Sequence, residues 1–158
     1  MPATIASFKI DYYQFLSPDG RLISDDVPSL ATDMEKLRSL YRSMVTTRIF
    51  DKKAVALQRT GKMGTYASSL GQEAASVAIG SAMRPEDCYA PTYRDHGAQI
   101  CRGVKMSEIL TYWGGDERGS DYSGPRHDFA CAIPIATQCL HAAGAALAFK
   151  LRGEQRVA

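Results

Sequence analysis

From Phe129 to Phe149 the chain carries no formal charge, an interval bounded by Asp128 and Lys150 and long enough to cross a bilayer as a helix. Its content speaks against a span. Pro134, Thr137, Gln138 and His141 interrupt it, Ala and Gly dominate the rest, and neither end has the Trp or Tyr of a membrane interface. Small residues let helices approach closely, so the run is expected to form a buried helix of a soluble protein. Pro134 has no N–H to give and biases Ile133 away from helical angles. Ile133-Pro134-Ile135 is therefore expected to be extended, with helix from about Ala136.

The rest of the composition narrows the class further. A length of 158 residues suffices for one core. With 19 Lys and Arg against 17 Asp and Glu, the net charge of +2 comes with no basic patch beyond the pair Lys52-Lys53. No nucleic-acid partner is expected on those grounds, and no membrane. Cys88, Cys101, Cys131 and Cys139 include no C-x-x-C pair, which excludes the ligand spacing of a zinc ribbon or a thioredoxin-like site. Buried free thiols in a reducing compartment are expected. The N-terminus has no basic stretch followed by an apolar one, so the expected location is cytoplasmic.

Residues 1–31 read as an irregular arm, with a turn at Ser17-Pro18-Asp19-Gly20 and with Phe8, Tyr12, Tyr13 and Phe15 needing cover from the domain's own core or from a partner. Residues 32–158 form the second region. Thr32-Asp33-Met34-Glu35 has the form of a capping box, and Met34, Leu37, Tyr41, Met44, Val45 and Ile49 follow at helical spacing as the expected buried face. This helix is expected to reach Thr60, with Gly61 as a left-handed stop. Ser69-Leu70-Gly71-Gln72 is a second capping box opening a helix that ends at Arg84-Pro85. A short strand at Cys88-Tyr89-Ala90, helices over Asp95–Arg102 and Ser107–Trp113, and a surface loop over 114–128 complete the reading. Helix, short strand and helix in this order suit an α/β layered fold whose parallel strands are expected mostly beyond residue 158.

Tyr93-Arg94-Asp95-His96-Gly97 sits between the expected strand and the next helix, where ligands are met in open α/β folds. Arg94 there either binds phosphate in a forked geometry or pairs on the surface with Asp95 or Asp87. Ile133-Pro134-Ile135 either offers its backbone to a flat heteroaromatic ligand or is a strand ended by a proline kink. Thr137-Gln138 either serves a cation or caps the helix. His96, His127 and His141 lie in separate segments without metal-ligand spacing. No Gly-x-Ser-x-Gly elbow, Walker loop or dinucleotide fingerprint occurs.

Taken together, Gly64-Thr65-Tyr66, Gly71-Gln72-Glu73-Ala74, Pro91-Thr92-Tyr93-Arg94-Asp95-His96-Gly97, Tyr112-Trp113-Gly114-Gly115-Asp116-Glu117-Arg118-Gly119-Ser120 and Ile133-Pro134-Ile135-Ala136-Thr137-Gln138 resemble a known family. It is the alpha subunit of the thiamine-diphosphate-dependent decarboxylating component of 2-oxo acid dehydrogenase complexes. The resemblance runs from about residue 15 onward and is nearest the bacterial acetyl-transferring pyruvate dehydrogenase branch, with the branched-chain 2-oxo acid branch as near relative.

The resemblance implies the helix-rich N-terminal half of a parallel-sheet, three-layer thiamine-diphosphate-binding domain. It implies that Tyr93 and Arg94 hold the cofactor diphosphate, that the backbone of Ile133 and Ile135 holds the aminopyrimidine, and that Tyr66 and Ser68 line the substrate pocket. Thr137 and Gln138 match a monovalent-cation site of the branched-chain relatives, in which Ala132 stands where they have a hydroxyl ligand. Magnesium ligands are expected beyond residue 158, and an activating glutamate on a beta subunit. The implied reaction is oxidative decarboxylation of a 2-oxo acid such as pyruvate, with transfer of the acetyl group to the lipoyl acyltransferase core. A chain ending at Ala158 is expected to have little activity alone, leaving a non-catalytic interaction piece as the alternative.

Overall fold

The computed structural model describes residues 3–158. They divide into two compact units, one up to Leu37 and one from Arg38 onward. In the first, the turn expected at Ser17-Pro18-Asp19-Gly20 forms a tight hairpin. Leu16 and Leu22 bridge antiparallel, and the Gly20 amide donates to the Ser17 carbonyl at 2.9 Å with Gly20 at φ +82°. Phe8, Tyr12 and Tyr13 remain exposed.

Among the described residues there are five α-helices: α1 (Met34–Arg59), α2 (Glu73–Ala82), α3 (His96–Cys101), α4 (Met106–Trp113) and α5 (Thr137–Arg152). The C-terminus of α1 follows the expectation. Gly61 is left-handed at φ +68°, the Lys62 amide donates to the Leu57 carbonyl and the Gly61 amide to that of Gln58, which together make a Schellman stop. Its N-terminus does not. Asp33 caps α1 by accepting the Lys36 amide at 2.9 Å, while the Thr32 hydroxyl is drawn back to the Ser29 carbonyl in a short 3-10 turn.

The buried face of α1 also differs from the expected stripe. Tyr41 and Ile49 are exposed, whereas Thr47, Phe50, Asp51 and Ala54 are buried. Both sets have helical spacing, and the second includes two polar residues. Hydrophobic spacing pointed to the wrong face because Thr47 and Asp51 find hydrogen-bond partners inside. Phe50 and Ala54 join Met63, Tyr66, Val104, Ile109, Trp113 and Tyr122 in the core cluster.

The expected strand at Cys88-Tyr89-Ala90 is absent. Its amides are taken instead by the Val157 carbonyl at 2.9 Å and by the Asp128 carboxylate at 2.9 Å. One parallel bridge, Thr92 to Ala132, and a bond from the Phe129 amide to the Tyr89 carbonyl at 2.8 Å join the 88–92 and 128–132 segments, and among the described residues the chain is helix-rich with no extended sheet. Asp128 meets Arg102 in a buried two-pronged ion pair, both contacts 2.6 Å. The Arg102 guanidinium also serves the carbonyls of Arg84 and Asp87, leaving few of its donors unpaired.

Two further expectations change. The glycine-rich stretch over 114–128 is not only surface, since Gly119, Tyr122 and Pro125 are buried. A Cβ at Gly119 would lie 2.3 Å from the Tyr112 nitrogen, an approach that only glycine allows. The α5 helix, expected to be buried, has Phe149 as its one buried residue, and Leu140 and Leu151 are nearly four-fifths exposed. No helix among the described residues is long and apolar enough to cross a membrane.

Helices α2 and α3 meet where a Cβ on Gly80 would stand 2.7 Å from both the Cα and the carbonyl oxygen of Ala98. Backbone on the far side cannot swing aside. Gly80→Ala is therefore expected to destabilise the protein by about 2 kcal/mol, the clash outweighing the roughly 1 kcal/mol gain in helix propensity. Urea unfolding checks this, and an unchanged or raised midpoint would refute the close contact.

Candidate functional site

Arg94 stands at the entrance to α3. A compact turn aims it: the Thr92 amide donates to Asp95 Oδ2 at 2.8 Å, the Asp95 amide returns to the Thr92 carbonyl at 3.3 Å, and the Arg94 amide donates to Thr92 Oγ1 at 3.3 Å. Asp95 is thereby committed to the turn. Asp87 accepts the amides of Arg84 and Val157, so neither carboxylate pairs with Arg94. The guanidinium instead donates through Nη1 to the Ser68 carbonyl, and it lies 5.2 Å from the centre of the Tyr93 ring.

Arg94, Tyr93, Gln72, Thr92, Ile135 and Gln138 line one cavity of about 260 Å³. Its donors are one fixed cation, hydroxyls and amides, a set suited to an anion. A second cavity of about 370 Å³ has Tyr112, Trp113, Gly64 and Ile133 in its wall and is mainly apolar. Ile133 and Ile135 thus face separate cavities from one short turn. That turn replaces the expected extended segment. The Thr137 amide donates to the Pro134 carbonyl at 3.3 Å and Ala136 adopts φ 70°, ψ 0°, the angles of the third position of a type II turn. Ala136 is the one non-glycine residue at positive φ among the described residues. Such a conformation is held against a cost of about 1–2 kcal/mol. The Gln138 amide nitrogen donates to the Ala132 carbonyl at 3.0 Å.

Tyr66 lies in neither cavity. Its hydroxyl is buried, 2.9 Å from Asp51 Oδ1 and 3.1 Å from His96 Nδ1. Ser68 donates to Asp51 Oδ2 at 2.7 Å and lines a third cavity beside Lys52, Arg59 and Leu70. Asp51 is thus the centre of a buried cluster that also takes the Ser69 amide at 2.7 Å. Sequence reasoning passed over it, and its available signal was its place three residues after Arg48 on one face of α1. Arg48 Nε donates to Glu73, whose carboxylate also accepts the Gly71 amide. The bond from Arg48 holds the Glu73 carboxyl at about 2, below its ordinary value. Ser69, held by Asp51, is diverted from the expected capping box with Gln72, and α2 starts later, at Glu73.

His96 completes the cluster. Trp113 Nε1 donates to His96 Nε2 at 3.1 Å, and an indole N–H can only donate. The proton of the neutral imidazole is therefore on Nδ1, which donates to Tyr66, and Tyr66 donates to Asp51. Burial lowers the His96 pKa to about 4, and burial followed by the Asp51 charge raises that of Tyr66. The rings of Tyr66 and His96 stack at 5.1 Å between centres.

Residues 41–158, which include all of these side chains, match the family model described as dehydrogenase E1 component. The chain belongs to that family. It is 37% identical over 132 residues to the pyruvate dehydrogenase E1 component subunit alpha of Mycoplasma genitalium, covering 84% of this chain and 37% of that one. It is 36% identical, with the same coverage, to the Mycoplasma pneumoniae subunit of that name. It is 35% identical over 150 residues to the one from Staphylococcus aureus, covering 95% of this chain and 40% of that one. The chain spans about two fifths of the length of these curated relatives.

In this E1-family chain the buried neutral imidazole has a consequence for stability. Because the folded pKa of His96 lies below the ordinary 6.5, its unfolded state binds the proton more readily. Stability from this group is complete above about pH 6.5 and is lost as pH falls toward 4, by roughly 3 kcal/mol. Thermal unfolding across that range should show the decline, and His96→Gln should flatten it. A wild-type profile level from pH 6.5 to 4 would contradict the assignment.

Proposed function

We propose that this chain supplies part of a thiamine diphosphate site in an E1 alpha subunit that decarboxylates pyruvate and passes the acetyl group to a lipoyl carrier. The observation that carries the reading is the turn over 133–136. It stands between a cavity whose cation is Arg94 and a cavity walled by Tyr112 and Trp113, as a ligand with an anionic end and a flat ring requires. The first cavity lies below, and the second near the lower end of, the range of about 300–1,000 Å³ typical of such sites, and each suits one end of the cofactor.

In this reading Arg94 and Tyr93 hold the diphosphate, with the guanidinium kept in place by the Ser68 carbonyl. Ile133 and Ile135 bracket the pyrimidine, and the left-handed Ala136 fixes the direction in which their backbone leaves the turn. When bound, thiamine diphosphate supplies the electron sink for loss of carbon dioxide from the 2-oxo acid. Ser68, at the edge of its own cavity, and Tyr66 lie on the substrate side in this assignment, with Tyr66 acting from behind the wall as an un-ionised hydroxyl. Magnesium is a different matter. Among the described residues no three His, Cys, Asp or Glu are grouped for a metal.

The relatives' names, pyruvate dehydrogenase and subunit alpha, support pyruvate as substrate and a further subunit as partner, and the motif resemblance adds a beta subunit and a lipoyl acyltransferase core to the proposal. The Thr92–Ala132 bridge and the Cys88–Val157 pairing support reading this region as part of a parallel layered domain. Free cysteines support a reducing, cytoplasmic setting.

Calorimetric titration tests the site. Arg94→Ala is expected to weaken binding of thiamine diphosphate about 30-fold, or about 2 kcal/mol, and to leave the weaker binding of thiamine unchanged. Equal affinities of wild-type and Arg94→Ala protein for thiamine diphosphate would remove Arg94 from the site. With a beta subunit present, carbon dioxide release from pyruvate should exceed that from branched-chain 2-oxo acids.

A further inference from the structure

One peptide plane lies between a buried carboxylate and the candidate anion-binding cation. The Ser69 amide donates to Asp51 Oδ1 at 2.7 Å, and the carbonyl of the same peptide unit, that of Ser68, accepts from Arg94 Nη1. In a trans peptide the N–H and C=O point in opposite directions, so a group that fixes one fixes the other. We propose that Asp51 is the positioning residue of Arg94, acting through the Ser68–Ser69 peptide.

Three observations converge on this. Asp51 is 2% exposed and has no cation within ion-pair distance among the described residues. Its charge is met by neutral donors alone: the Tyr66 hydroxyl, the Ser69 amide and hydroxyl, and the Ser68 hydroxyl at 2.7 Å. All of them come from residues 66–69. A carboxylate that rests on one loop dictates the shape of that loop, because any donor withdrawn leaves buried charge unmet. The loop is also held from its far end, where Glu73 receives the Gly71 amide and Arg48 of α1. Finally, Asp51 reaches the other side of the same motif, since Tyr66 links it to His96, two residues from Arg94.

A negative charge at the amide end of a peptide also polarises its carbonyl, strengthening the bond to the guanidinium. Asp51 therefore supplies both direction and electrostatic hold. It does not line the Arg94 cavity. The inference rests on the proposed function only for the use to which Arg94 is put, and the placement of Arg94 can be read without any ligand.

The first measurement is the side-chain 15N–1H spectrum of the arginines in the purified protein, with Arg102, in its own buried ion pair, as internal reference. In Asp51→Ala the Arg94 resonance is expected to shift and broaden while that of Arg102 stays. Asp51→Asn keeps the volume but has one acceptor oxygen for donors now shared between two, so an intermediate change is expected, and it serves where the Ala variant does not fold. The second measurement is titration with inorganic pyrophosphate, for which both variants should lose affinity at least fivefold, the Asn variant less than the Ala variant. A folded variant with unchanged Arg94 resonances overturns the proposal. Absence of pyrophosphate and thiamine diphosphate binding by the wild type would count against the proposed function alone, since the resonances would still report on Asp51.

Discussion

A single carboxylate without a cationic partner organises the centre of this structure. Asp51 enters the interior on α1 and is compensated entirely by hydroxyl and amide donors from residues 66–69. Such an arrangement is costly to disturb, because moving any donor exposes charge to a medium that cannot solvate it. The loop before α2, the position of Tyr66 and, through Tyr66, the seat of His96 in α3 all follow from that requirement. Glycine completes the frame where helices press together: Gly80 lets α2 lie against Ala98, and Gly97 leaves room for Ser76.

On this frame the chemistry divides into two places joined by a strained turn. Arg94 gives one place its charge, and aromatic side chains give the other its apolar wall. The turn at Ala136 has a conformation normally left to glycine. Strain of that kind persists only where the surroundings over-determine it, and it is common at ligand clamps. Here the Gln138 bond to the Ala132 carbonyl and the bridge from Ala132 to Thr92 tie both sides of the turn to the Arg94 segment.

Local signals in the sequence were informative wherever the cause was local. The Schellman stop at Gly61, the Ser17–Gly20 turn and the bounds of α3 and α4 depend on residues within a few positions of one another. Features set by distant partners were not legible. Thr32 and Ser69 have the spacing of capping boxes, but Asp33 competes for one helix end and Asp51 captures Ser69. The apolar stripe of α1 named one face, while satisfied polar groups carried another inward. The strand at Cys88 lost its ladder to the Asp128 carboxylate, a competitor forty residues on. The motif residues Tyr93, Arg94, Ile133 and Ile135 could be singled out from the sequence, but the division of the two isoleucines between separate cavities required coordinates.

The order of bonds from Trp113 to Asp51 has one more implication. The chain begins at an indole, which can only give a hydrogen, and ends at an ionised carboxylate, which can only accept one. Every link between them must therefore run the same way, and no reversed arrangement of comparable energy exists. A proton relay needs that reversal after each passage. His96 is held as a static strut and unable to shuttle protons along this line.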